Sequence, residues 1–285
     1  MKELIKQNSR SPVSGNNRTL LSGRPFVRSI GFVNWRGVWS LYVREVMRFY
    51  KISTQTLIAP IVSTLIIFVV FVVSFNESLQ GKIDIPLSVF LVPGLIMMAI
   101  FQNSFANTSS SILVSKIQGN IVDILLPPLS PFELTLVFTL GGITRGLLVG
   151  FLCAIAINFI VAFNLYHPIV IAVYAILASM MLSLLGLIGG ILAEKYDHIA
   201  AMTNFVIVPL SFLSGTFFPI EFIPETWRIL AWLNPFFHII DGFRYGFTDH
   251  LDGELWIGFT YTLLINLSLL YVALKFFSKG YKLKN

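Results

Sequence analysis

The residues of this sequence that could do chemistry are four histidines, one cysteine and one glycine–lysine pair, and their spacing speaks against it. His167, His198, His238 and His250 fall on different segments with no ligand spacing between them, so each reads as structural and no metal site is expected. Cys153, the single cysteine, sits in an apolar run and reads as a small packed hydrophobe; alone it excludes an intramolecular disulfide. The phosphate-cradling pattern GxxxxGK[ST] is absent, and Gly81-Lys82 is followed by Ile83, so the chain does not hydrolyse ATP by that route. No convergent acid, base or nucleophile set is recognisable, and neither catalytic residues nor a bound cofactor are expected. What remains is charge where charge is costly: between Glu133 and Glu194 the only formal charge is Arg145. It reads either as an interfacial arginine at the foot of an over-long helix or as a pathway or gating charge.

The elements that must carry these residues follow from composition. The chain has 285 residues, 55% hydrophobic and 12% charged, with a mean hydropathy of +0.79, against about 25% charged residues in soluble domains. Such a chain cannot clothe a surface in water, and an all-α integral membrane protein is expected. Uncharged runs predict six transmembrane helices: Ile52 to Asn76, Ile85 to Ser115, two between Glu133 and Glu194 divided at Asn164 to Pro168, Ile199 to about Phe218, and Leu255 to Leu274. Residues 52–275 thus form one membrane domain. Of the 20 Lys and Arg, ten precede residue 57, Lys116 and Lys195 lie on the same side, and four close the chain, Lys275 and the three of a basic tail at 276–285. Only Lys82, Arg228 and Arg244 fall opposite, which predicts that both termini are cytoplasmic. The net charge of +6 is thereby explained by topology, and nucleic acid is not expected as a partner. Residues 1–34 read as a flexible basic tail or, since they are rich in Arg and Ser, an organellar transit segment; they lack a signal-peptide core.

Around the spans, Trp35 to Lys51 places Arg36, Arg44, Arg48 and Lys51 on one helical face and aromatic and aliphatic residues on the other, predicting an interfacial amphipathic helix on membrane lipid. Between the second and third spans, Ser115 to Pro131 predicts a stiff projection with a short helix from Ile117 to Leu126 broken by Pro127, Pro128 and Pro131. Gln118, Gly119, Asn120 and Asp123 offer polar contacts there, and Ile121, Ile124 and Leu125 an apolar face the small loops can scarcely bury. A structural connector is the alternative reading of this projection, and the second short loop, with Glu194 and Asp197, shares the same two readings. In the second span Asn103, Asn107 and Ser111 share a face, as interhelical glue or as a substrate surface. Gly142, Gly146 and Gly150 form a small-residue stripe for close helix packing. Before the last span, Pro219, Pro224 and Pro235 bracket two short helices, Glu225 to Leu233 and Phe236 to Phe247, expected as a re-entrant pair on the outer side.

Three stretches carry a resemblance: LSGTFFPIEFIPETWRILAWLNPFFHIIDGFRYGF (Leu213 to Phe247), FLVPGLIMM (Phe90 to Met98) and GGITRGLLVG (Gly141 to Gly150). From about Trp35 onward the chain resembles the permease subunits of bacterial type-2 ABC exporters, the ABC-2 family. The resemblance implies an inner-membrane exporter in which two copies form the pore and a separate ABC ATPase subunit binds ATP and magnesium. It further implies that Lys116 to Leu126 is the main coupling element, Glu194 to His198 and the Trp35 to Lys51 helix secondary contacts, and the outer helix pair a gate. Cargo in this family includes lipid-linked polysaccharides, lipids, drugs and peptides; an apolar interior with few charges favours an amphipathic cargo. The alternatives are an ion-coupled secondary transporter, which would use Arg145, and a membrane-embedded enzyme, which would need outer-face acids such as Glu221 or Asp241.

Overall fold

The computed structural model describes residues 33–79, 85–222 and 224–282. Most of the expected tail at 1–34, from residue 1 to 32, therefore lies outside the described residues, and so does the end of the chain from 283. From Trp35 onward the chain is one unit of helices. In order these are α1 (Trp35–Tyr50), α2 (Ala59–Leu79), α3 (Leu87–Ile117), α4 (Ile121–Leu125), α5 (Pro131–Asn158), α6 (Pro168–Leu192), α7 (Tyr196–Met202), α8 (Val208–Phe212), α9 (Glu225–Leu233), α10 (Pro235–Thr248) and α11 (Leu255–Lys279). No strand occurs among the described residues. This is an all-α integral membrane protein. The last helix runs to Lys279, so the expected basic tail begins inside it.

The 31-residue α3 is apolar or small on nearly every side, the pattern of a helix enclosed by others, and it lies buried between α5 and α6. Glycine brings the backbones close. A Cβ on Gly186 would lie 2.5 Å from the Phe105 carbonyl oxygen and one on Gly190 2.8 Å from that of Ser109, so α6 can approach α3 only where it has no side chain. The predicted stripe behaves likewise: Gly142 faces Ser183 and Thr108, Gly146 faces Ser104, and Gly150 faces Ile100. Cys153 is packed as expected, 1% exposed, with Sγ 3.8 Å from Thr64 Oγ1. The start of α5 is set by a capping box: Ser130 N donates to Glu133 Oε2 at 2.6 Å, Glu133 N donates to Ser130 Oγ at 3.2 Å, and Pro131 takes the first helical position.

Among the described residues five uninterrupted helices are long and apolar enough to cross a bilayer: Thr54–Phe75, Leu87–Ile117, Pro131–Asn158, Pro168–Leu192 and Leu255–Lys279. The segment expected as the fifth of six spans is helical only from Tyr196 to Phe212, in three pieces of seven, five and five residues. At 1.5 Å per residue these pieces rise about 25 Å, and Leu213 to Phe218 follow as turns, so this span is broken where the other five are continuous. Its middle piece, Thr203–Ile207, is a π-helical turn, and Thr54–Ile58 before α2 is a second. Both stop two residues before a proline, Pro60 and Pro209. A proline ring collides with the carbonyl four residues back and donates no hydrogen bond, and widening the preceding turn relieves both.

The two short helices before the last span match their expected limits to within a residue. Asn234 Oδ1 caps α10 by accepting from Phe236 N at 3.0 Å, and its Nδ2 donates to the Leu210 carbonyl at 2.7 Å. α10 is buried against α3, α6 and α11, with Gly242 against the Tyr174 ring, whereas α9 keeps Trp227, Ile229, Leu230 and Leu233 exposed. Arg244 is enclosed at 1% exposure, donates to the Gly215 carbonyl, stacks 4.0 Å over Phe90 and faces Asp252 at 3.6 Å. Asp241 accepts from the backbone of Asp252 and Gly253, both at 2.9 Å, fixing the turn into α11.

If glycine sets the α3–α6 approach, Gly186→Ala will lower the thermal unfolding temperature in detergent, at a cost of about 1–3 kcal/mol. Gly258→Ala, where a Cβ meets nothing nearer than 3.4 Å, will leave it within error.

Candidate functional site

Two surfaces and one polar cluster take up the residues singled out by sequence. The first surface is the far end of α3 and α5. Gln118, Gly119 and Asn120 form an exposed turn, with Gly119 at φ 75°, and α4 follows. Ile121 and Ile124 do not offer an apolar face outward, contrary to expectation: at 6% and 2% exposure they are sunk into a cluster with Val38, Leu41, Phe138, Leu187 and Phe277. The reason is register: residues three apart share a helix face, and α5, α6 and α11 supply enough surface to bury that face. The outward face of α4 consists of Val122 and Asp123, continued by Ile117 and Leu126 on either side, with Leu125 half-buried.

A second short segment adjoins this one. Lys116 Nζ donates to the carbonyls of Ile191 and Ala193, both at 2.7 Å, closing the end of α6 with a cation where the helix leaves carbonyls unpaired. Glu194 and Asp197 are exposed. Glu194 meets Lys282 Nζ at 3.2 Å, and the hydrogen bond and charge of Lys282 hold its carboxyl below the usual carboxylate range. Lys116 thus ties the two expected coupling segments together, a role its lone position in the sequence did not reveal.

The cluster lies where α1 meets α3 and α5. Arg36, Arg44 and Lys51 are exposed as expected, but Arg48 turns inward: Nη2 donates to the Asn107 carbonyl at 2.7 Å and to Asn107 Oδ1 at 3.0 Å, and Nη1 to Ser110 Oγ at 3.2 Å. Glu45, which the polar-face reading passed over, is 1% exposed and bonds Arg44 at 3.2 Å and Arg48 at 3.3 Å. Gly141 makes room for it, since a Cβ there would lie 3.1 Å from Glu45 Cβ. The buried stripe is therefore Val38, Leu41, Glu45 and Phe49 at helical spacing, and Tyr42 OH meets Thr144 Oγ1 at 2.9 Å. A lone acid among basic neighbours on an amphipathic helix was the available signal. One turn along α5, Arg145 donates from Nη2 to Asn103 Oδ1 at 3.0 Å. Asn107 and Ser111 are enclosed between helices.

The second surface is a side groove of about 410 Å³ between α2, α3 and the π turn at Thr203. Gln55, Ser63, Thr64, Gln102, Asn103 and Thr203 supply its polar groups, while Leu95 and Met98 are among its apolar lining. Of the expected pathway residues Asn103 lines it, whereas Asn107, Ser111 and Arg145 do not. Among the described residues no group of His, Cys, Asp and Glu could hold a metal ion.

A chain of membrane-crossing helices with this projecting helix and polar groove is a permease by architecture, and comparison with known proteins agrees: the family described as ABC-2 type transporter matches residues 36–248, and the chain belongs to it. It is 34% identical over 221 residues to the inner membrane transport permease YadH of Escherichia coli strain K12, covering 78% of this chain and 86% of that protein. The permease of the same name from Shigella flexneri matches with the same identity and coverage.

The cluster generates a charge-balance prediction. Glu45→Ala leaves Arg48 beside Arg145 with no acid between them, and is expected to destabilise the detergent-solubilised chain by about 1–3 kcal/mol. In an Arg145→Gln background the loss should shrink, and a double-mutant cycle on apparent unfolding free energies measures the difference.

Proposed function

We propose that this chain is the inner-membrane permease subunit of an ATP-driven exporter, with two copies forming the pore and a separate ABC ATPase docking on the surface made by Gln118 to Leu126 and Glu194 to His198. The observation that carries this reading is the construction of α4. Its inward residues, Ile121 and Ile124, are set in the same core as α1, α5, α6 and α11, while Ile117, Val122, Asp123 and Leu126 are left open beside an exposed polar turn. A load on that open face is passed to packed helices and not absorbed by a loose loop. Lys116 carries the same load to α6.

The depth of α1 marks a bilayer boundary, and the Lys and Arg bias of the sequence makes that boundary the cytoplasmic one. Arg48 meets α3 at Asn107, ten residues before Ile117, and Glu45 meets α5 at Gly141, ten residues after Pro131. Both helices thus extend about 15 Å beyond α1, and the 20 residues from Leu87 to Asn107 rise about 30 Å, the thickness of the hydrocarbon core. α1 then lies at the inner boundary, with both termini cytoplasmic and α4 in the cytoplasm. α9, with its exposed tryptophan and leucines, rests at the outer boundary, and α10 with it forms the outer gate region. The groove beside Gln102 and Asn103 is half of the cargo route, which a second copy completes. Its uncharged amides and hydroxyls against Leu95 and Met98 suit an amphipathic cargo. Membership of the ABC-2 family favours this ATP-driven reading over ion-coupled transport.

Affinity purification from its own host in mild detergent, followed by mass spectrometry, is expected to recover an ATPase in equal proportion with the wild-type chain. Gly119→Trp and Asp123→Arg should lose it while the permease still elutes as a folded species. Recovery of the wild-type chain without an ATPase would sink the proposal, and undiminished recovery in both variants would move the docking surface elsewhere.

A further inference from the structure

Between α1, α3 and α5 the protein holds more positive charge than it neutralises. Glu45 is the one acid of this cluster, and its two oxygens are already taken by Arg44 and Arg48. Arg145 bonds only the neutral amide oxygen of Asn103, and among the described residues it forms no ion pair. Its Nε is enclosed and unpartnered. The neighbours on α3 offer further donors: Asn107 is 0% exposed with Nδ2 unpaired, and the hydroxyls of Ser104 and Ser111 are also buried without partners. Two guanidiniums and an amide with donors to spare, in a region of low dielectric, call for an acceptor that carries negative charge.

Position narrows the chemistry of that acceptor. Arg145 is one residue beyond Thr144, which Tyr42 of α1 touches, and Arg145 is partly accessible. Its partner Asn103 forms part of the wall of the groove, so a headgroup in that groove comes within one side chain of the guanidinium. With α1 at the inner boundary of the bilayer, Asn103 and Arg145 lie one helical turn, about 6 Å, inside it, so a phosphate meets them by dipping below the headgroup level along the groove. Arginine is suited to phosphate because its planar donors match two phosphate oxygens at once.

We propose that Arg145, with Arg48 and Asn107 beside it, forms a phosphate-binding site at the inner boundary of the membrane, filled by an anionic phospholipid of that leaflet or by the phosphate of a phosphorylated cargo. The site rests on the cytoplasmic placement of α1 argued above. It goes further than the interfacial helix expected from sequence, whose Arg36, Arg44 and Lys51 meet lipid only as a charged surface.

The full chain in mild detergent, titrated with dioleoylphosphatidylglycerol and separately with dioleoylphosphatidylcholine, reports on the site by native mass spectrometry whether or not an ATPase is present. The wild type is expected to prefer the anionic lipid at one site per chain. Arg145→Gln should reduce that preference about tenfold or more, since a charge-assisted pair of 1.5–3 kcal/mol corresponds to roughly that factor. Arg145→Lys, which keeps the charge but loses the planar pair of donors, should keep only part of it, and Arg36→Gln, on the exposed face of α1, should leave it unchanged. Should Arg145→Gln fail to fold, Arg48→Gln and Asn107→Leu carry the same expectation.

Phosphorus retained after purification tells the sources apart. Bound as phospholipid, it assigns the site to the leaflet; bound in a non-lipid molecule and lost in Arg145→Gln, it assigns the site to cargo. Equal affinities for the two lipids in wild type and Arg145→Gln, with no other phosphate-bearing molecule held, would overturn the proposal.

Discussion

The constraint on which this bundle depends is the distance between α3 and its two neighbours. In hydrocarbon there is no hydrophobic gain from pressing one apolar helix against another, so contact must come from shape and from polar groups meeting at short range. Glycines on α5 and α6 meet that need. Their absent side chains bring the two backbones onto the serine and threonine face of α3, where Thr108, Ser109 and Ser110 return hydrogen bonds to their own helix's carbonyls. The polar half of α3 is thus packed by its small size and locally satisfied at most positions. Asn103, whose Nδ2 also donates to the Ala99 carbonyl of its own helix, and Asn107 turn their side-chain oxygens to arginines on α5 and α1.

That division explains how much of the molecule was legible in sequence. Long apolar runs announced the helices α2, α3, α5, α6 and α11, and the glycine stripe on α5 announced its own packing, because both follow from composition at fixed spacing. Proline likewise marked the two short helices before α11. The division of the fifth expected span into short pieces was less legible, because hydropathy counts apolar residues without showing where the helix breaks, and the break at Leu213 depends on tertiary fit. The π turns were less hidden than they looked. Pro60 and Pro209 were visible, but that the strain would be taken up by a widened turn was not.

The candidate site was legible in outline and misread in its facing. The projecting helix α4 ends where the proline pattern put it but starts four residues later than expected, at Ile121 after the turn at Gly119, and its isoleucines point inward, because only the folded core shows how much surface α5, α6 and α11 have to spare. On α1 the error was complementary: charge pattern alone assigned every cation to the surface, whereas Glu45 and Arg48 are the residues that dock the helix. The tie between Lys116 and the end of α6 spans 75 positions of sequence, and no local pattern reports it.

The contact between α1 and α3 also has a mechanical side. Arg48 grips α3 a third of the way along, ten residues from the end that bears α4 and 20 from Leu87. A rigid helix held at that point is a lever with unequal arms. Any sideways displacement imposed at the α4 end reappears at Leu87 in the opposite direction and about twice as large, since each residue adds the same 1.5 Å to its arm.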